Sequence, residues 1–152
     1  MIKRELYERL NTVSVEISVH VKEFISRTDA YLSSFDSTSL LSFSDNKSKL
    51  YKENYYEFFS SLTEVVEHLT SAISKLSTLL EIADNESELE IIVSAGSKLE
   101  AFFKFENSLG EFSKATKKLI SSESISLSQL VFEARKLRSA AESFELNFSD
   151  QL

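Results

Sequence analysis

The chain contains no cysteine, no proline and no tryptophan, and its only glycines are Gly96 and Gly110. The lack of cysteine excludes disulfides, thiolate metal ligands and a cysteine nucleophile. With proline absent and glycine nearly so, the residues that most often punctuate sheets and turns are missing, which favours long uninterrupted helices. Two isolated glycines cannot form a glycine-rich phosphate loop, and no Gly-x-Ser-x-Gly elbow is present. No eighteen apolar residues run together, so an integral membrane segment is not expected. The opening Met1-Ile2-Lys3-Arg4 has the charge of an export leader, but Glu5, Glu8, Arg9 and Glu16 follow where an apolar stretch would be needed. We therefore expect a soluble, cytoplasmic protein.

Positive charge is also in short supply. Seventeen Lys and Arg face 24 Asp and Glu, for a net charge of −7. A nucleic-acid groove depends on Lys and Arg neutralising phosphate, so no nucleic-acid partner is expected. The same balance disfavours an anionic membrane surface. The one basic concentration, Lys117 and Lys118 followed by Arg135, Lys136 and Arg138, reads as helix-terminal charge and a solvated helix face.

What is present is apolar and periodic. Over 152 residues, 42% are hydrophobic, including twelve Phe and five Tyr, which is the balance of one folded domain. Leu6, Leu10, Val13, Ile17, His20, Phe24 and Tyr31 follow spacings of three and four, or their sum, and predict a first helix over residues 2–34. Residues 33–46 break that pattern, with Leu40, Leu41 and Phe43 expected in a packed loop or short turn. A second helix over 46–83 carries Tyr51, Tyr55, Phe58, Leu62, Val65, Leu69, Ala72, Leu76, Leu79 and Ala83 without a missed step. Its flanking stripe of Tyr56, Phe59, Val66, Ile73 and Leu80 implies two packing neighbours.

The third helix, over 86–120, shows two frames. Leu89, Ile92, Gly96, Leu99 and Phe103 form one; Phe102, Phe105, Leu109, Phe112, Thr116 and Leu119 form another, displaced by one residue. Ser108 and Glu111 have capping-box spacing, so a straight helix and one kinked or restarted near Asn107 both remain open. A fourth helix over 127–147 opens at Ser126 and Gln129 and carries Leu127, Leu130, Ala134, Leu137, Ala141, Phe144 and Phe148. One stretch disagrees. Residues 12–21 alternate strictly, as a half-buried strand would, but the flanks keep the helical period and no hairpin turn is available. The expected fold is all-α: an antiparallel four-helix bundle with coiled-coil-like stripes, in a single domain spanning 1–152.

The chemistry of a site is thin. A di-metal bundle needs paired Glu-x-x-His motifs, and neither His20 nor His68 lies three residues after a glutamate. Glu64 and His68 are one turn apart but read as an exposed helical pair, and His20 as a half-buried, hydrogen-bonded stripe residue. Gly96 and Gly110, two heptads apart, read as points of close helix approach. No catalytic residue, metal or cofactor is expected.

What exceeds the needs of a bundle is apolar surface. Val15 and Val19 point some 160° to 200° away from the main stripe of the first helix. Phe132 lies beside the stripe of the fourth, and Phe105 joins them if the third helix is straight. These four are the candidate partner-binding residues of a non-catalytic protein-binding bundle, of adaptor, chaperone or immunity-inhibitor type, with a second protein or another copy as partner. A membrane-active bundle is the alternative, and a metal-binding enzyme is less favoured. Serine-rich polar faces with few Lys or Arg count against the first.

Overall fold

The computed structural model describes residues 3–38, 46–122 and 125–149. They form four helices: α1 (Lys3–Thr38), α2 (Asn46–Asn85), α3 (Leu89–Ser121) and α4 (Leu127–Ser149), with no strand among the described residues. The expected elements are all present. α1 outruns its expected end by four residues, and the expected packing of Leu40, Leu41 and Phe43 lies outside the described residues. Residues 12–21 are helical throughout. Their alternation places Ser14 and Ser18 inside and Val15 and Val19 outside, with Thr12 bonding its hydroxyl back to the Glu8 carbonyl at 2.9 Å.

Each helix packs against its sequence neighbours, and α1 closes the ring against α4. α1 and α3 touch little across one diagonal, α2 and α4 occupy the other, and the helices run up, down, up, down. Ring pairs fix the register. Tyr31 stacks on Phe58 at 4.0 Å between α1 and α2, and Phe58 meets Phe112 edge-on at 6.0 Å between α2 and α3. Phe105 stacks on Phe144 at 5.1 Å between α3 and α4. The aromatic side chains therefore fill the half of the core where all four helices run together. Shorter α4 ends before the opposite half, whose core is largely aliphatic: Leu6, Leu10, Val13, Leu76, Leu79 and Ile91.

The α2–α3 turn is made without glycine. Glu88 donates its N–H to the Ala83 carbonyl at 2.9 Å and Ser87 to that of Asp84 at 3.2 Å, while Ser87 adopts φ 58°. These two bonds and the left-handed residue make a Schellman stop, so α3 begins at Leu89, three residues later than the sequence pattern places it. The opening of α4 matches its expected cap: Ser126 Oγ accepts the Gln129 N–H at 3.4 Å.

α3 runs from Leu89 to Ser121 without interruption. Ser108, the expected cap of a restarted helix, instead donates to the Lys104 carbonyl one turn back at 3.3 Å. The two frames resolve into one. Ile91, Ala95, Lys98, Phe102, Phe105, Phe112 and Thr116 are all buried at alternating spacings of four and three or their sum. A lysine and an alanine sit where large apolar residues would have marked the frame.

Candidate interaction surface

The single frame of α3 settles the position of Phe105. It is 3% exposed, meets Phe24 edge-on at 5.0 Å and stacks on Phe144, so it is a core side chain and not part of an outer surface. The expectation that a straight α3 would expose it is corrected, because it shares the buried frame with Phe102 and Phe112.

Val15, Val19 and Phe132 lie outside, at 63%, 56% and 60% exposure. None of the described helices covers the two valines, so α1 is not a central helix among them. The Arg138 guanidinium pairs with the Asp29 carboxylate and sets the level of α4 against α1. Along that register Phe132 comes level with Phe35, roughly 24 Å from Val19 at 1.5 Å per residue. The structure therefore does not bring Phe132 together with the valines. It does place Leu146, 64% exposed and two heptads along α4 from Phe132, within one turn of the level of Val19. Leu146 was hidden in the sequence because it follows the regular stripe of α4 by only two positions after Phe144. Lys136 sits over the Phe132 ring at 5.8 Å and covers part of its face.

A larger apolar surplus lies on α3. Leu89, Val93 and Phe103 are 72%, 70% and 58% exposed, and they line the outer side of the helix together with Gly96. A Cβ added at Gly96 or Gly110 would meet nothing within 4 Å, so neither glycine serves a close contact within this chain. The expected role of the glycines in internal packing is not found. Leu89, Gly96 and Phe103 belong to the frame that the sequence pattern assigns to the core; once Ile91 and Phe105 fill the core, these three positions face out, while Leu99 of the same frame stays buried.

The two histidines come together. His20 is half-buried and its ring stacks on that of exposed His68 at 5.6 Å and 15°, across the α1–α2 interface. Glu64 is turned instead to Arg27, 3.7 Å away, which also holds Glu23 at 2.8 Å and the Ser61 carbonyl at 2.8 Å. Among the described residues, no group of three or more His, Cys, Asp or Glu is placed to hold a metal ion. No described helix is long and apolar enough to cross a membrane.

Within the core, Lys98 is only 4% exposed. Its amine donates to Ser94 Oγ at 2.9 Å and lies 5.9 Å from the Phe148 ring, and burial pushes its pKa down. No carboxylate among the described residues pairs with it. A groove of about 470 Å³ runs between α3 and α4, lined by Ser97, Lys104, Ser108, Ala140, Ser143 and Asn147 among others. It is open to solvent, is lined also by Phe105 and Phe144, and its two charged residues, Glu100 and Lys104, pair with each other at 4.0 Å. Compared with known protein families, curated proteins and solved structures, the chain has no match.

Proposed function

We propose that the chain is a non-catalytic helical bundle that binds another protein through apolar side chains on its outer surface, as a small adaptor, assembly chaperone or immunity-type inhibitor does. The observation that carries this reading is the pair Val15 and Val19. They stand one turn apart on α1, more than half exposed, on a bundle whose core is already filled by Leu10, Val13, Ile17 and Val21. Single exposed apolar residues are ordinary, but a cluster beyond the requirements of the core is the usual mark of a partner site. Leu146, at a neighbouring level on α4, is a further exposed apolar side chain. Phe132 belongs to the reading only as a separate contact at the other end of α4. The proposed place of action is the cytoplasm, which fractionation of the native source tests.

The test is a Val15→Ser, Val19→Ser variant beside the parent chain, each used to capture proteins from the native source and then to rebind the purified candidate. Both side chains are exposed, so the unfolding free energy should change by no more than about 0.5 kcal/mol. Loss of binding with fold and stability intact supports the reading. Unchanged binding by the variant shows that this face is not the partner site.

A further inference from the structure

We infer that the outer face of α3 is a self-association surface, on which a second copy of this chain packs antiparallel about a two-fold axis at Phe103. This rests on the reading of the chain as a protein-binding bundle but uses a face apart from Val15 and Val19. Leu89, Val93, Gly96 and Phe103 follow the alternating four and three spacing of a helix seam, and Asn107, Gly110 and Lys114 continue it. The first, second and fourth of these are more than half exposed. The seam therefore has the pattern of a packed helix face with no other described helix against it.

Charge selects the occupant and its direction. Glu86 stands in the turn before this face and Glu100 in its N-terminal half, and toward the C-terminal end stand Lys104, Lys114 and Lys118, all exposed; Glu111 is the one acid on the face among the lysines. A parallel copy would set like charge on like. A two-fold axis perpendicular to the helix reverses the second copy and sets the acidic end of one against the basic end of the other. With the axis at Phe103, Glu100 of each copy comes within two residues of the level of Lys104 of the other, beside the ion pair of 4.0 Å that the two residues make within each chain. The same operation brings Val93 close to the level of Glu111, leaving that acid without a partner lysine.

The glycines give the second argument. Gly96 and Gly110 lie seven residues either side of Phe103, each with open space where its Cβ would be. Glycine inside a helix is costly relative to alanine, so two of them on an exposed face call for a reason outside the chain. The two-fold axis supplies one: Gly96 of each copy falls opposite Gly110 of the other, which lets the backbones approach on both sides of the paired Phe103 rings.

The experiment is sedimentation equilibrium of the full chain over a wide concentration range, beside a Gly96→Gln, Gly110→Gln variant. Glutamine is a good helix former and its Cβ meets nothing within 4 Å at either position, so the variant should melt at the same temperature or higher. Its dimer dissociation constant should rise by about tenfold or more, since the side chains block close approach. The absence of cysteine allows a second measurement: Phe103→Cys should give a disulfide-linked dimer on mild oxidation, while Ser60→Cys, on the outer face of α2, should not. A chain that stays monomeric at every concentration overturns the proposal. So does a dimer that the glycine variant leaves untouched, or one cross-linked through Val19→Cys instead of Phe103→Cys. If the chain is monomeric but captures a partner through Val15 and Val19, the protein-binding reading stands and this inference alone fails.

Discussion

Tyr55 and Thr116 join α2 to α3 by a 2.7 Å hydrogen bond between their hydroxyls, buried in the aromatic half of the core. Thr116 also lies 2.7 Å from the Phe112 carbonyl, which can only accept. The single Thr116 proton is therefore spent on that carbonyl, and Tyr55 is the donor in the pair. The two partners should not be equivalent on removal. Tyr55→Phe takes away a donor and leaves Thr116 still bonded, at a cost of about 1 kcal/mol. Thr116→Val leaves the tyrosine hydroxyl buried without its acceptor, and should cost about 2 kcal/mol. Denaturant unfolding of the two variants gives the comparison; equal costs would mean the donor assignment is reversed or shared.

The lysine in the core should be a net cost. Lys98 has its amine against Ser94 Oγ and the Phe148 ring, with its pKa below the ordinary 10.5 because burial disfavours the charged form. Lys98→Met keeps the length of the side chain and removes the charge, and should stabilise the fold by about 1 kcal/mol at neutral pH. The sign with pH follows from the direction of the shift. The folded chain releases this proton more readily than the unfolded one, so the penalty is complete below the folded pKa and is relieved as pH rises toward 10.5. The advantage of Lys98→Met over the parent, read from melting temperatures, should therefore shrink across that window.

Most of the fold was legible because the chain offers few ways to interrupt a helix. With no proline and an unbroken apolar stripe, α2 buries every residue of its pattern from Tyr51 to Ala83. The seam of α3 was not legible in the same way. Its buried frame includes Ala95, Lys98 and Thr116, which carry little apolar signal, whereas Leu89 and Phe103, which carry much, point outward. A lysine can occupy a core position when its stem is apolar and its amine finds a hydroxyl, and composition alone does not reveal that. For the candidate surface, helical angle sufficed to find Val15 and Val19 but not to place Leu146 near their level. That placement depends on the register of α4, which the Asp29–Arg138 pair sets.

Tyrosine ionisation should limit the stability at high pH. Burial pushes Tyr31 and Tyr55 above the ordinary 10.0, and the hydroxyl of Tyr7 is raised by its hydrogen bond to Glu90. A raised folded pKa means the stability is complete below pH 10.0 and is lost as pH climbs from there toward the folded value. The Tyr31 hydroxyl also has no hydrogen-bond partner among the described residues. Tyr31→Phe should therefore gain up to about 1 kcal/mol at neutral pH and lose less than the parent above pH 10. If the parent and this variant show the same alkaline loss, Tyr31 is not its source.

The turn between α2 and α3 makes the last prediction. Ser87 is the one non-glycine residue with positive φ among those described, at 58°, and its conformation is needed for the two bonds to Ala83 and Asp84 that end α2. A left-handed backbone brings the Cβ of any L residue against the following carbonyl, at a cost of about 1 kcal/mol, whereas glycine has no Cβ to meet it. Glycine is also the usual residue at this position of a Schellman stop. Against this, glycine loses more backbone freedom on folding than serine does, which offsets part of the gain. The side chain of Ser87 is exposed and stands outside both helices, so nothing is lost by removing it. Ser87→Gly should stabilise the fold by about 0.5 kcal/mol, and Ser87→Val should destabilise it by about 1 kcal/mol or more, since a β-branched side chain tolerates positive φ least. Urea unfolding of the parent and both variants measures the two changes. The ordering glycine above serine above valine is the expected result, and a valine variant as stable as the parent would mean that Ser87 does not hold the left-handed conformation in solution.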